Sequence, residues 1–320
     1  MKNSFHNIFI ADDIHRKAIE LLKAGNNRIL KNINLTNSDL IKYILLKDNG
    51  ARYPSSLIIR STRKISKEEL EIFANKTNIR IIGTASSGFD NIDVKLAKSL
   101  KIKILNVPDG NYISAAEHTL SLILAISKNI NNVNYKTLTE RFKSSKYFNK
   151  ELFDKTIGII GVGRVGSHLA RLCRALGMNI LGNDIKKNLQ KKYKWIQFCN
   201  LKNLLKYSDI VTIHTPLDES TSNLLDEEEF KFLKRNAILI NCARGGIINE
   251  RILIKYLKSN KIYFAGIDVF MDEPEINQNF LILKNVLITP HQAGKTIESK
   301  IRISMNLASR VLNELKRYSV

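Results

Sequence analysis

The chain of 320 residues carries 51 Lys and Arg against 30 Asp and Glu, a net charge of +21, with 44% hydrophobic and 25% charged residues. Those fractions exclude a disordered or low-complexity chain, and at roughly 150 residues per domain the length fits two domains with full cores. The basic residues are dispersed, without the runs of about five or six that mark a polyanion-binding arm, and no apolar run approaches the ~20 residues of a membrane span, so neither nucleic acid nor a membrane is an expected partner.

In chain order, residues 7–11, 57–60, 80–83 and 103–106 are short apolar runs that read as strands, with helical patterns between them. The run at 8–11 ends at Asp12 and Asp13 and is too short for a secretory signal, so a soluble, cytoplasmic protein is expected. Ser114 and Glu117 fit a capping box, which predicts a long apolar helix over 115–128. Residues 131–153 read as loop and short helix. A second strand series follows at 156–161, 179–184, 210–214, 237–241, 263–269 and 286–289, enough for a complete dinucleotide-binding sheet. From about Thr296 to Arg317 a final helix carries Ile297, Ile301, Ile303, Leu307, Val311 and Leu315 on one broad face, which predicts packing against the first domain. The fold class is therefore α/β, two doubly wound parallel-sheet domains. Cys173, Cys199 and Cys242 make no Cys-x-x-Cys pair, so neither a disulfide framework nor a metal site is expected.

The turn GVGRVG at 161–166 follows an apolar strand and opens a helix, with Gly177 placed to end it. In that context Gly161 permits the tight turn, Gly163 lets the backbone approach a pyrophosphate and Gly166 allows close packing of helix on strand. The helix N-terminus adds N–H groups and positive dipole. Asp184 closes the next strand, 18 residues after Gly166, where a carboxylate can accept both hydroxyls of an adenosine ribose and repel a 2′-phosphate. NAD is therefore favoured over NADP, with Lys186 and Lys187 near enough to soften the repulsion.

Arg244, Glu273 and His291 stand just past the ends of predicted strands, where open α/β sheets bind ligands. Oxidising an alcohol next to a carboxylate needs a base for the hydroxyl proton and a cation for the carboxylate and the developing carbonyl. His and Arg meet those needs, and a carboxylate on the second imidazole nitrogen would fix the tautomer. His214 closes a strand equally well, so position alone does not choose the base, whereas His118 reads as helix packing.

Taken together, IRS at 59–61, GFDNID at 88–93, NVPDGNYISAAE at 106–117, the glycine turn, HTP at 214–216, NCARGG at 241–246, DVF at 268–270 and TPH at 289–291 resemble the D-isomer-specific 2-hydroxyacid dehydrogenases over nearly the whole chain. Within that family the likeness is greatest to members acting on 3-phosphoglycerate. The resemblance implies that Arg244, Glu273 and His291 are the catalytic residues, with His291 rather than His214 as the base. It implies NAD contacts from Ser87, Gly161, Gly163, Arg164, Val165, Gly166, Asp184, Thr215, Pro216, Cys242, Ala243, Arg244, Asp268, His291 and Gly294, with Asp268 on the nicotinamide amide. Substrate contacts would come from Arg60 on a distal phosphate, Ser87 and Gly88 on the carboxylate, and Arg244 and His291 at the reacting carbon.

One departure is Thr84, where members that bind phosphorylated substrates often carry an arginine. Arg80, Arg141, Lys143 and Lys146 are the candidate replacements. Unphosphorylated acids (glyoxylate, hydroxypyruvate, lactate) and erythronate 4-phosphate therefore stay open as substrates, as does a non-catalytic NAD-sensing, corepressor-like role. The resemblance further implies a flavodoxin-like substrate domain of residues 1–106 plus 291–320, interrupted by a Rossmann NAD-binding domain of residues 107–290, and a homodimer. No C-terminal regulatory domain is expected.

Overall fold

The computed structural model describes residues 6–25, 27–49, 51–130 and 148–318. The chain divides into two compact units, Met1–Asn111 with Lys295–Val320, and Tyr112–Gly294.

The first unit is a five-stranded sheet, all parallel, of β1 Asn7–Ile10, β2 Arg28–Lys31, β3 Ser55–Ile59, β4 Ile79–Thr84 and β5 Lys103–Leu105, in the order β2-β1-β3-β4-β5. Helices α1 Arg16–Ala24, α2 Asn37–Asp48, α3 Lys67–Lys76 and α4 Val94–Ser99 return the chain between strands. Parallel strands need such crossovers, so both sheet faces are covered and the central strands are rich in buried apolar residues. Side chains alternate as the pleat requires. Phe9, Leu57, Ile59 and Ile82 meet Leu40, Ile44, Leu70 and Phe73 on one face, and Ile8, Ile10, Ile58 and Ile81 meet Ala18 and Leu22 on the other.

The second unit opens with α5 Tyr112–Ser127 and builds a seven-stranded parallel sheet: β6 Thr156–Ile160, α6 Arg164–Ala175, β7 Asn179–Asn183, α7 Asn188–Lys192, β8 Gln197–Phe198, α8 Leu201–Tyr207, β9 Ile210–Ile213, α9 Glu227–Phe230, β10 Ile238–Asn241, α10 Glu250–Lys258, β11 Phe264–Ile267, α11 Gln278–Leu281 and β12 Val286–Ile288. The order is β12-β11-β10-β9-β6-β7-β8. The chain winds outward from β6 first to one side and then to the other, so the C-terminal ends of β6 and β9 flank the switch point where such sheets bind ligands. Helix α12, Ile297–Leu315, returns to the first unit, where Ile303, Leu307, Val311 and Leu315 join the core containing Ala18 and Leu22.

Several sequence expectations differ from the structure. Strands β2 and β8 are not expected from the sequence: β2 is an edge strand, RILK, with both end residues exposed, and β8 is only 2 residues long. Neither carries the apolar signature of a buried strand. Helix α5 begins at Tyr112, so Ser114 lies buried inside its first turn rather than at its cap. Ile297 opens α12 but stays 73% exposed, and the buried residues of the helix begin at Ser299. The unit boundaries fall at 111/112 and 294/295 rather than 106/107 and 290/291. Residues 131–147, including Arg141, Lys143 and Lys146, lie outside the described residues.

Because Leu307 is almost fully buried, Leu307→Ala should lower the unfolding free energy by about 2–5 kcal/mol, while Ile297→Ala should change it by less than about 0.5 kcal/mol. Urea denaturation of the two variants checks this.

Candidate active site

The buried strand β6 runs into Gly161, whose φ of +88° is a left-handed conformation that side-chain-bearing residues rarely adopt. Each glycine of the turn has its own spatial reason. A Cβ on Gly161 would lie 2.8 Å from the His214 carbonyl, and one on Gly166 would lie 2.1 Å from the Gly161 oxygen. A Cβ on Gly163 would meet nothing within 4 Å, so at that residue the backbone faces open space. Gly163 caps α6 without a side-chain hydrogen bond, which leaves the helix N-terminus able to receive an anion.

Asp184 follows β7, and its carboxylate accepts from Val162 N–H at 2.8 Å and Lys186 N–H at 2.9 Å. The acid is thereby tied to the glycine turn. Beside Gly161, the Thr215 hydroxyl is buried with no hydrogen-bond partner, and a buried hydroxyl without a partner is a costly feature in a finished core. An open backbone at Gly163, an uncapped helix and an unpartnered hydroxyl fit the pyrophosphate and ribose of a dinucleotide. Arg164 and Pro216 are exposed beside them, and Val165 is half-buried.

The next three strands place the polar trio. Strands β10, β11 and β12 are neighbours in parallel register, so the segments following them leave the same edge of the sheet. Arg244 follows β10, in a turn braced by the Asn241 amide, which donates to the Arg244 carbonyl and accepts from Ala243 N–H. A Cβ on Gly245 would lie 1.9 Å from the Phe270 oxygen, so the Arg244 turn lies directly against the segment after β11. There, Phe270 N–H donates to Glu273 Oε1 at 3.0 Å. The other oxygen, Oε2, meets His291 Nδ1 at 2.6 Å. The His291 side chain is 45% exposed and that of Glu273 33%. Nδ1 is thus engaged by a carboxylate, which fixes the orientation of the ring.

His291 has φ +46°, a strained conformation for a non-glycine residue. Two carbonyls hold its backbone N–H, Asp268 at 2.8 Å and Thr289 at 3.0 Å. The Asp268 side chain is fully buried and receives Thr289 Oγ1 at 2.5 Å, Gln292 N–H at 2.9 Å and Ala293 N–H at 2.9 Å. Burial alone would raise this carboxyl, but bonds from His118, Thr289, Gln292 and Ala293 hold it below the ordinary carboxylate value. His118 Nε2 lies 3.1 Å from Thr289 Oγ1 and 3.6 Å from Asp268 Oδ1. The sequence alone suggests only packing for His118. No residue pattern signals this partnership, because His118 and Thr289 are 171 positions apart.

His214, the rival base, bonds Thr212 Oγ1 at 3.1 Å, and burial pushes its imidazole down to about 3. Such a ring stays neutral and is a poor proton acceptor near pH 7. Cys242 is likewise inert: burial pushes its thiol up to about 12 despite the Thr119 hydroxyl. Among the described residues, no group of three or more His, Cys, Asp or Glu could hold a metal ion.

In the first unit, Arg60 follows β3 and its N–H donates to Asp12 Oδ2 at 2.8 Å. Asp12 is gripped by Arg63, both nearly buried. The 84–88 loop is braced from within: Thr84 Oγ1 meets Ser86 Oγ at 2.8 Å, Ser86 Oγ donates to the Gly88 carbonyl and Asn106 donates to the Ser87 carbonyl. Arg80 does not replace an arginine at Thr84. Its guanidinium bonds the Thr77 and Ile79 carbonyls at the opposite end of β4.

Residues 120–293 match the family profile described as the D-isomer specific 2-hydroxyacid dehydrogenase, NAD binding domain. The chain is 34% identical over 97% of its length to a D-3-phosphoglycerate dehydrogenase of Methanocaldococcus jannaschii, of which it spans 57%. It is 33% identical over 97% of its length to a hydroxypyruvate reductase of Thermotoga maritima, spanning 98% of that protein. The TT0316 protein of Thermus thermophilus superposes with a TM-score of 0.82 at 25% identity, covering 97% of both chains.

The low value at His214 sets a sign for stability. Between about pH 3 and 6.5 the unfolded chain binds the proton that the folded chain refuses, so stability is complete above pH 6.5 and falls as pH drops through that window. His214→Gln should flatten the decline, read from urea midpoints at pH 7, 5.5 and 4.5; an unchanged slope would show that His214 is not the group responsible.

Proposed function

Because the chain belongs to the D-isomer-specific 2-hydroxyacid dehydrogenases, we propose that it oxidises D-3-phosphoglycerate to 3-phosphohydroxypyruvate with NAD, as a cytoplasmic homodimer serving serine biosynthesis. The observation that carries the chemistry is the 2.6 Å contact between His291 Nδ1 and Glu273 Oε2. A carboxylate there fixes the proton on Nδ1 and stabilises the imidazolium, so Nε2 can take the substrate hydroxyl proton. Arg244 supplies the cation for the substrate carboxylate and the carbonyl as it forms. NAD, when bound, supplies the nicotinamide C4 that accepts the hydride. The residues that would hold it are Gly161, Gly163, Arg164, Val165 and Gly166 at the pyrophosphate, Asp184 at the ribose, and Ser87, Thr215, Pro216, Cys242, Ala243, Asp268 and Gly294 elsewhere along it. Arg60, Ser87 and Gly88 are proposed for the distal phosphate and the carboxylate of the substrate.

A second reading, turnover of an unphosphorylated 2-hydroxy acid such as glycerate, is favoured by one observation. Thr84 is fully buried and bonded inward to Ser86, so position 84 offers a phosphate no cation. The full-length match to a hydroxypyruvate reductase supports the same reading.

Steady-state kinetics with 3-phosphoglycerate, D-glycerate, D-lactate, glycolate and erythronate 4-phosphate, each with NAD and NADP, separates the two. A phosphate clamp should give 3-phosphoglycerate an advantage of about 100-fold in kcat/KM over glycerate, the worth of one or two charge-assisted bonds. Equal efficiency moves the assignment to the second reading. NAD should be preferred because the Asp184 carboxylate repels a 2′-phosphate; greater efficiency with NADP would refute that. His291→Ala should lose about 10²- to 10⁴-fold in kcat under the better substrate.

A further inference from the structure

Helix α5 contributes one polar side chain to the trio's surroundings that the proposed chemistry does not use. His118 Nε2 faces Thr289 Oγ1 at 3.1 Å, and that hydroxyl lies 2.5 Å from Asp268 Oδ1. The proton order follows from the groups present. A buried carboxylate held below its ordinary value accepts only, so Thr289 donates its hydrogen to Asp268. The Thr289 oxygen is then left as an acceptor, and His118 must carry its proton on Nε2 to fill it. The chain runs one way: imidazole to hydroxyl to carboxylate.

What this chain holds is the segment that presents His291. Asp268 takes Thr289 before His291, and Gln292 and Ala293 after it, while its carbonyl takes the His291 N–H itself. All four contacts converge on a residue whose φ of +46° is unfavourable without such bracing. Both Asp268 oxygens are therefore committed to protein donors, and its side chain is wholly buried. That occupancy braces the loop on both sides of His291.

We propose that His118 is a positioning residue: acting through Thr289 and Asp268, it fixes the backbone that places His291 against Glu273, without touching the reacting atoms. The proposal rests on the dehydrogenase reading for its kinetic consequence but not for its structural one. A misplacement of about 1 Å at a proton-transferring group can cost on the order of 100-fold in rate.

The test uses the full chain with His118→Phe, which keeps the ring and removes the donor, and His118→Gln, which keeps a donor. His118→Phe should lower kcat about 10- to 100-fold with KM for the hydroxy acid and for NAD within about 2-fold, and His118→Gln should recover most of the loss. In the unliganded protein, the His291 imidazole resonance, identified by its loss in His291→Ala, should shift its titration midpoint in His118→Phe and return in His118→Gln. Thr289→Val, which breaks the relay at its middle, should reproduce the phenylalanine result and serves if His118→Phe fails to fold. Parental kcat and an unmoved His291 resonance in His118→Phe or Thr289→Val would overturn the proposal, as would equal losses in the Phe and Gln variants. Should the parent protein oxidise none of the hydroxy acids, the dehydrogenase reading falls, and the His291 resonance still decides the positioning role.

Discussion

A carboxylate can be buried only where enough donors replace the water it loses, and Asp268 is the place where the second unit meets that requirement. Its donors come from the segment after β12 and from α5, while its own N–H bonds the Asn241 carbonyl at the end of β10. One buried residue, through its carboxylate and its backbone N–H, therefore fastens three strand ends and a helix into a single arrangement. Glu273 and His291 meet because the backbone on either side of them is already held by that charge or by its neighbours.

The parallel sheet makes this convergence possible. Every strand of a parallel sheet ends on the same edge, and each crossover helix carries the chain back to start the next. Residues as distant in sequence as Gly161, Thr215, Arg244 and His291 are thus delivered to one rim without long loops. At that rim steric fit is as demanding as electrostatics. Gly166 and Gly245 stand where any side chain would strike backbone, so the turns that carry Arg164 and Arg244 can press against their neighbours.

Much of this was legible in the sequence, for identifiable reasons. Strands buried on both faces require apolar runs, and ten of the twelve strands among the described residues are legible that way. The helix after Gly163 announces itself by glycine spacing, and the last helix by its apolar face. Edge strand β2 was invisible because it has one covered side and charged ends. The start of α5 differs from its sequence signal because Ser114 satisfies a local capping pattern while tertiary packing buries it as an interior residue. Local propensity loses wherever burial is at stake.

What the sequence by itself determined was the inventory: a glycine turn opening a helix, an acid at the end of the next strand, and Arg, Glu and His past strand ends. These follow from periodicity and spacing, which act over a few residues and need no knowledge of the fold. Only the tertiary structure decided the pairings. It joined Glu273 to His291, gave His214 surroundings that lower its imidazole and keep it neutral, turned the Asp268 carboxylate inward and brought His118 to Thr289 across 171 positions. Burial and hydrogen-bond partnership are properties of the assembled core, and the sequence lists the partners without stating which will meet.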